Sequence, residues 1–405
     1  MNTEWQLAGQ TLQLFRFPPN QHDKSLQAWD SADEYAIEYI SENYADDSTN
    51  RPVDVIICND AFGALTIGLH GLSPICVTDS FIAHQAIDHN CTQNNLTAPL
   101  ILNSLAVLPK SQLVVIKLSK NLDYLKWQLS QVQAMASAHQ IEVNIVATGK
   151  TTLVTSSVMK TFESCCQNVS SSLAKKKSRL IFATVLPEHI SSSTLNKDET
   201  QLPPYQAKCP ELSLTLSAHA NVFCKDQIDI GGRFLVEHMP ELPSSTESIN
   251  IIDLGCGNGL LGVSFLRQNQ KQILKSLESQ QVNVTFCDES FMAIKSAQYN
   301  VKANTPELID ICQFVQDDCL TQQKPESADL ILCNPPFHQQ QAVTTHIAEQ
   351  MIQHAKETLK PGAELYLVAN RHLPYQGMLK KQFGGFRVIA NNNKFTLYHC
   401  IKRKT

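Results

Sequence analysis

Residues 249–265 read INIIDLGCGNGLLGVSF. An apolar run meets three glycines within five residues, Gly255, Gly257 and Gly259, and a second apolar run follows at once. A short apolar run ended by glycine reads as a buried strand, and the segment beyond reads as a helix. Strand, tight turn and helix is the unit from which largely parallel α/β sheets are built. Open sheets of this kind bind ligands beyond the carboxyl ends of their strands, where this turn lies. The third glycine comes too early for the dinucleotide fingerprint. A simple tight βα turn would use the same glycines. Asp253 favours a ligand, because an acid at a strand end beside a glycine turn accepts hydrogen bonds from a ligand amine.

The pattern continues downstream. VNVTFCDE reads as a strand and SFMAIKSAQYNVKAN as a helix; ICQFVQDD and ADLILCNPP read as further strands. A helix over 341–359, the strand AELYLVAN, a helix after LPY and a strand pair around the Asn-rich turn of FRVIANNNKFTLYHC complete the chain. The alternation predicts a mostly parallel sheet with helices on both faces and an antiparallel C-terminal hairpin. Upstream, LSLTLSAH alternates as a strand.

The first half repeats pieces of this order. VDVIICNDAFGALTIGL parallels INIIDLGCGNGLLGVSF. Ser80-Phe81-x-Ala83 with Asn90 parallels Ser290-Phe291-x-Ala293 with Asn300, preceded by Asp79 in one case and Asp288 in the other. LVVIKLSKNLDYLKWQL is set beside ELYLVANRHLPYQGMLK. These echoes predict an internal duplication, although two ordinary βα folds could share them. Residues 59–63 of the first half, NDAFG, lack two of the three glycines, and the half has no NPPF. The expectation is one fold present twice, with the cofactor in the second copy only: a degenerate RNA-positioning domain over 1–190, a polar Pro203-Pro204 linker over 191–206, and a catalytic domain over 207–405.

Length and composition agree with two domains. The chain has 405 residues, 43% hydrophobic and 18% charged, with a formal net charge of −5. That charge gives no general pull toward nucleic acid, so RNA would need local patches. No apolar run is long enough to span a bilayer, and the start, MNTEWQLAGQ, has neither basic nor apolar signal regions, so a cytoplasmic protein is expected. The 13 cysteines lie scattered in apolar segments without a CxxC, which reads as reduced core thiols and no metal site.

Four motifs fall at successive strand ends. Asp253 to Gly259 is the first, with Asn258 inside it. Asp288 is the second, placed either to take both hydroxyls of a ribose or to cap the helix near Ser290. Asp317-Asp318 is the third, a partner for an adenine amino group or a turn cap. Asn334-Pro335-Pro336-Phe337 is the fourth. The Asn334 side-chain oxygen and the Pro335 carbonyl can accept both hydrogens of one planar NH₂ group; Pro336 stiffens the loop, and Phe337 can stack on a flat base. A proline turn with Phe337 in the core is the plain alternative.

In this order, DLGCGNG, CDES, QDD and NPPF resemble the class I S-adenosylmethionine-dependent methyltransferases that act on exocyclic amino groups. With NVFCKDQIDIGGRFLVEHMP (221–240), NPPFHQQ, VANRHLPY, NNNKF, LQAWDSADEY (26–35) and DAFGAL (60–65), nearly the whole chain resembles the bacterial ribosomal RNA guanine-N2 methyltransferases with two tandem Rossmann-like methyltransferase domains. The large-subunit branch, the methyltransferase G family, fits better than the small-subunit branch. The resemblance implies that Gly255 and Gly257 pass the methionine part of S-adenosylmethionine, Asp253 lies near its amino group, Asp288 holds the ribose and Asp318 lies by the adenine. It implies that Asn334, Pro335 and Phe337 hold the guanine N2 amino group, and that Phe223 lines the cofactor pocket, ordinary packing being the alternative for Phe223. KQILKSLESQQ (271–281) lengthens the connection before Asp288.

The implied reaction is methylation of a guanine in 23S ribosomal RNA. Phosphate contacts are expected from Lys175-Lys176-Lys177 with Arg179, Lys380-Lys381 with Arg371, and Lys402-Arg403-Lys404, each of which also reads as a solvated charge run. His338 and His372 carry either RNA-contact or structural readings. The rival functions are a small-subunit (16S) methyltransferase, a DNA adenine-N6 or protein glutamine-N5 methyltransferase, and a non-catalytic RNA-binding assembly factor.

Overall fold

The structure is a computed structural model that describes residues 2–7, 9–17, 26–44, 54–188, 202–243, 248–277, 281–336 and 342–404, the side chains of 342–345 apart. The chain divides into two compact units, 1–201 and 202–405.

The first unit runs β1 (Glu4–Leu7), β2 (Gln10–Gln13), α1 (Ser31–Tyr44), β3 (Val55–Cys58), α2 (Ala64–Gly68), β4 (Ile75–Thr78), α3 (Phe81–Gln93), β5 (Leu100–Asn103), β6 (Leu113–Lys117), α4 (Leu122–His139), β7 (Val143–Lys150), α5 (Ser156–Glu163), β8 (Gln167–Ser171) and β9 (Ser178–Val185). The second runs β10 (Tyr205–Cys209), β11 (Leu214–Ala218), α6 (Ile230–Val236), β12 (Ile249–Leu254), α7 (Leu260–Ser276), β13 (Val282–Asp288), α8 (Phe291–Asn304), β14 (Cys312–Gln316), β15 (Ala328–Cys333), α9 (Ala342–Thr358), β16 (Leu359–Asn370), α10 (Tyr375–Phe383), β17 (Arg387–Asn391) and β18 (Phe395–Ile401).

Each unit holds a seven-stranded sheet, in the order β5-β4-β3-β6-β7-β9-β8 and β14-β13-β12-β15-β16-β18-β17. Five strands of each are parallel, and the last two form an antiparallel hairpin. Each unit also carries an antiparallel strand pair outside its sheet, β1-β2 and β10-β11. The central strands are buried along their length, as VIIC in β3 and LILC in β15 show, because helices cover both faces. Two apolar clusters flank each sheet, one on each face.

The two sheets superpose in topology and in hydrogen bonds. Asn300 accepts from Ser217 N (2.7 Å) and donates to the carbonyls of Ser217 (2.7 Å) and Asn258 (2.8 Å). Asn90 accepts from Phe15 N (2.9 Å) and donates to the carbonyls of Phe15 (2.8 Å) and Phe62 (2.8 Å). Both asparagines are fully buried and tie the outlying hairpin to the βα turn. Ser80 and Ser290 cap their helices identically, each accepting from the residue three along at 3.1 Å. Gly63 and Gly259 start the next helix with the same φ of 86°. The Ser-Phe-x-Ala…Asn echo is therefore one set of contacts made twice.

Register corrects the third echo. Cys58 pairs with Ile116 as Leu254 pairs with Cys333, so β6 is the counterpart of β15 and β7 that of β16. LVVIKLSK therefore stands where LILCNPPF stands, and Lys117 occupies the place of Asn334. The extra length of 271–281 is taken up largely by α7, which continues to Ser276. Tyr205 and Gln206, assigned to the linker, open β10; residues 189–201 lie outside the described residues.

Lys117 is held by Asp33, whose carboxylate is fully buried and accepts at 2.6 Å. Burial pushes the Asp33 carboxyl up to about 6, and the Lys117 ammonium opposes that shift. Breaking a buried pair leaves an uncompensated charge, at a cost of about 3–5 kcal/mol. Lys117→Met should lower the unfolding free energy in urea by that order, and adding Asp33→Asn should restore most of it. Equal stability of Lys117→Met and the parent would show that the pair holds nothing.

Candidate active site at the carboxyl edge of the second sheet

The site is built on adjacent parallel strands, β15, β12 and β13, whose ends lie side by side: Cys333 beside Leu254, and Leu254 beside Cys287. Asp253 sits one residue before the end of β12 and is 1% exposed. Its Oδ2 accepts the backbone N–H of Gly262 at 2.8 Å, while its Oδ1 is buried with no partner among the described residues. Burial raises the Asp253 carboxyl to about 7; the Gly262 N–H bond opposes this and the charge of Asp288 adds to it.

The glycine turn then takes left-handed backbone at Gly255 (φ 71°) and Gly257 (φ 54°). A Cβ built on Gly257 meets no other atom of the described residues within 4 Å, so among them the turn faces open space there. The Gly257 N–H donates to Asp288 Oδ2 at 2.8 Å, and the other Asp288 oxygen accepts from Ser290 N at 2.9 Å. Asp288 thus braces the turn from the end of β13. Asn258 is 7% exposed and gives its carbonyl to Asn300.

The two acids after β14 separate in role. Asp317 accepts from Thr321 Oγ1 and from Gln322 N (2.9 Å), and so closes its own turn. Asp318, 5% exposed, accepts from Gln350 of α9 at 3.0 Å. Phe223 is 52% exposed, so it is not core packing, and the segment before it reaches α8 through His219 N to Ser296 (3.0 Å).

Asn334 follows β15 directly. Its Nδ2 donates to Asp229 Oδ2 at 2.8 Å, and its Oδ1 is buried without a partner among the described residues. Pro335 is buried and Pro336 exposed. Phe337 and His338 lie outside the described residues. Two buried side-chain oxygens, on Asp253 and Asn334, are thus left wanting donors at the ends of neighbouring strands. A buried acceptor without a partner costs about 1–3 kcal/mol, so a ligand that donates to both fits this edge. S-adenosylmethionine with a target amine has that chemistry: an ammonium for Asp253 and an NH₂ for Asn334. Asp229 was not among the residues singled out from sequence. Its one local signal is an acid before a glycine-rich helix start, DIGGRF, which reads as an ordinary N-cap.

The first unit has none of this at the matching places. By register, Ile57 stands for Asp253, Asn59 for Gly255, Ala61 for Gly257, Phe62 for Asn258, Thr78 for Asp288 and Leu105 for Asp318. Asp79, the sequence counterpart expected for Asp288, lies one residue further on and takes the Ser104 hydroxyl at 2.6 Å. The buried carboxylate within the βα turn of this unit is Asp60, whose oxygens accept from Gly63 N (3.0 Å), Thr66 N (2.8 Å) and Thr66 Oγ1 (2.7 Å). No oxygen of Asp60 is left for a ligand amine in the way that Asp253 Oδ1 is.

The basic runs are mostly engaged. Lys175 pairs with Glu38, Lys176 with Glu34 (3.1 Å), Lys381 with Glu349 (2.8 Å) and Lys402 with Glu326 (3.1 Å). Lys380 lies over the Phe386 ring, Arg371 donates to Asn392 O, and Arg403 to Gly384 O. Exposed pairs of this kind are worth at most about 1 kcal/mol, so phosphates can displace them, but they reduce the local positive field. His372 is exposed. Among the described residues no His, Cys, Asp or Glu cluster gathers as metal ligands, and no helix is long and apolar enough to cross a membrane.

Comparison with known proteins agrees with this geometry. The family RLMG N-terminal domain matches residues 2–187, and the family Methyltransferase small domain matches residues 213–399. The chain is similar to the ribosomal RNA large subunit methyltransferase G of Pseudoalteromonas translucida, 40% identical with 99% of each chain covered. It is also similar to those of Aeromonas hydrophila (40%, with 97% of each covered) and Klebsiella pneumoniae (38%, with 98% of each covered). Among solved structures, it shares its fold with the T. thermophilus 16S rRNA N2 G1207 methyltransferase (RsmC), in complex with AdoMet and guanosine. That match has a TM-score of 0.71 and 18% identity, covering 99% of this chain and 98% of that one. The two seven-stranded sheets, the glycine turn and the two family matches lead to one conclusion: the chain belongs to the ribosomal RNA large subunit methyltransferase G family.

Proposed function

We propose that this methyltransferase moves a methyl group from S-adenosylmethionine to the exocyclic N2 amino group of a guanine in 23S ribosomal RNA, in the cytoplasm. The observation that carries the reading is the pair of unpartnered buried oxygens, Asp253 Oδ1 and Asn334 Oδ1, on neighbouring strand ends beside the open glycine turn. The full-length relatives carry large-subunit names, which favours 23S over 16S RNA and over DNA or protein targets. The solved structure of the same fold, an N2 methyltransferase in complex with AdoMet and guanosine, points to the same amine chemistry.

When bound, S-adenosylmethionine supplies an electrophilic methyl group on a sulfonium. The chain's own residues orient. Asp253 takes the ligand ammonium, Asp288 the ribose hydroxyls, and Asp318 the adenine edge. Gly255, Gly257 and Asn258 form the turn against which the methionine part lies, and Phe223 closes over it. Asn334 Oδ1 and the Pro335 carbonyl hold both hydrogens of the target NH₂. The nitrogen lone pair then points along the line of displacement, Pro336 stiffens the loop, and Phe337 stacks on the base. No strong base is needed, because the alkylated nitrogen loses its proton readily. The guanine must leave its stack to reach the site. The first unit, lacking Asp253, Gly255, Gly257, Asn258, Asp288 and Asp318 at the matching positions, serves as the RNA-positioning module.

Asn334→Ala should lower kcat by at least about 100-fold, with S-adenosylmethionine affinity kept within about twofold by calorimetry. Loss of N2-methylguanine from the 23S RNA of a strain lacking the protein tests the substrate directly; unchanged 23S RNA would sink the assignment.

Asp253 gives a pH signature. Its folded value, about 7, lies above that of a free carboxyl. Its contribution to stability is therefore present below pH about 4 and lost as pH rises through about 7. Asp253→Asn should raise the melting temperature of the cofactor-free protein at pH 8 but not at pH 4. It should weaken cofactor binding by about 10- to 100-fold, the worth of one charge-assisted bond. Wild-type affinity should fall between pH 7.5 and 5.5, and the variant's should stay flat.

Calorimetry should find one S-adenosylmethionine per chain. A chain lacking residues 1–190 should keep that binding and lose RNA affinity; unchanged RNA affinity and rate would reject the positioning role.

A further inference from the structure

We infer that Asp229 is a positioning residue that fixes which way the Asn334 amide faces. The inference rests on the reading of Asn334 as the acceptor for the target amine. Asp229 is the N-cap of α6, and its Oδ2 accepts the Gly232 N–H at 2.6 Å. The same oxygen takes Asn334 Nδ2 at 2.8 Å, from the far end of β15. An ionised carboxylate only accepts hydrogen bonds, and an amide carries two donors on one side and an acceptor on the other. With Asp229 in place only one orientation is possible. The NH₂ faces the carboxylate, and Oδ1 faces the opposite way, buried and without a partner among the described residues. The flipped amide would set two oxygens against each other at hydrogen-bond distance. It would also turn an NH₂ toward the target NH₂, donor against donor. A flip-prone Asn334 would spend much of its time in a form that cannot accept from the amine.

The contact is built from three elements. A Cβ on Gly232 would lie 2.8 Å from Leu260 Cδ2, 3.3 Å from Asp229 Oδ2 and 3.4 Å from Asn334 Nδ2. A side chain there would push the Leu260 methyl aside and crowd both partners of the Asp229–Asn334 bond. The first unit shows the contrast. There Asp33, in the first turn of α1, accepts from Lys117, the last residue of β6, and Lys117 is an ammonium with no acceptor to aim. An acid bracing the strand end is common to both copies. The amide with an oxygen left to use belongs to the second alone.

The test compares variants of the full chain on guanosine-containing 23S RNA. Serine is as good an N-cap as aspartate, so Asp229→Ser keeps the Gly232 bond and removes the constraint on Asn334. It should lower kcat by about 10- to 100-fold, with KM for RNA and S-adenosylmethionine affinity within about twofold. Asp229→Asn, whose carbonyl can stand where Oδ2 stands, should recover most of the loss. A serine variant with kcat within about twofold of the wild type would overturn the inference. A second pair decides if Asp229→Ser fails to fold. Asn334→Asp alone sets two carboxylates face to face, whereas Asn334→Asp with Asp229→Asn restores a donor against an acceptor. The double variant should be at least about fivefold faster than the single one; equal or slower turnover would reject the role. Failure of the wild type to methylate guanine N2 would instead reject the function on which this rests.

Discussion

Two buried asparagines, Asn90 and Asn300, hold the same backbone groups in the two halves of the chain. Each bridges an outlying hairpin and the turn that begins a helix, and each satisfies three backbone polar groups that burial would otherwise strand. That bridge fixes where the βα turn sits relative to the neighbouring helix. Everything placed at the sheet's carboxyl edge inherits its position from it. The constraint concerns backbone only, so the side chains around it were free to diverge.

They diverged in a consistent direction. In the second unit the edge keeps acceptors unpaired, on Asp253 and Asn334, and leaves space in front of Gly257. In the first, Asp60 uses its carboxylate on its own helix start, Lys117 and Asp33 neutralise each other, and Arg16 lies 4.6 Å over the Phe62 ring beside the turn. Where the second unit leaves a polar group without a partner among the described residues, the first has a group already satisfied. A site designed to bind carries unsatisfied polar atoms as a cost, and a copy relieved of binding can settle that cost internally.

The fold and the acids at the sheet's carboxyl edge were legible because they rest on local chemistry. Glycine is required where φ is positive, as at Gly255 and Gly257, and the acids stand at strand ends that apolar runs announce. The Ser-Phe-x-Ala…Asn repeat was visible for the same reason, since a cap and a buried amide are each encoded within one helix. Misreadings arose where register across strands was needed. LVVIKLSK was matched with the wrong strand, and Asp79 was matched with Asp288 although Thr78 is its counterpart. The lysine run at 175–177 looked available because the partners of Lys175 and Lys176, Glu38 and Glu34, lie some 140 residues away on α1.

The sequence by itself determined the repeated α/β architecture, the second copy as the one with a glycine turn and NPPF, and the acids at its strand ends. Those features depend on backbone conformation and apolar periodicity, which act over a few residues. Only the tertiary structure decided which oxygens are left unpaired, which residue of the first copy stands for each residue of the second, and that Asp229 faces Asn334 across 105 positions of chain. Those depend on strand register and on the meeting of distant elements, where a hydrogen bond's partner has no signature in the residues beside it.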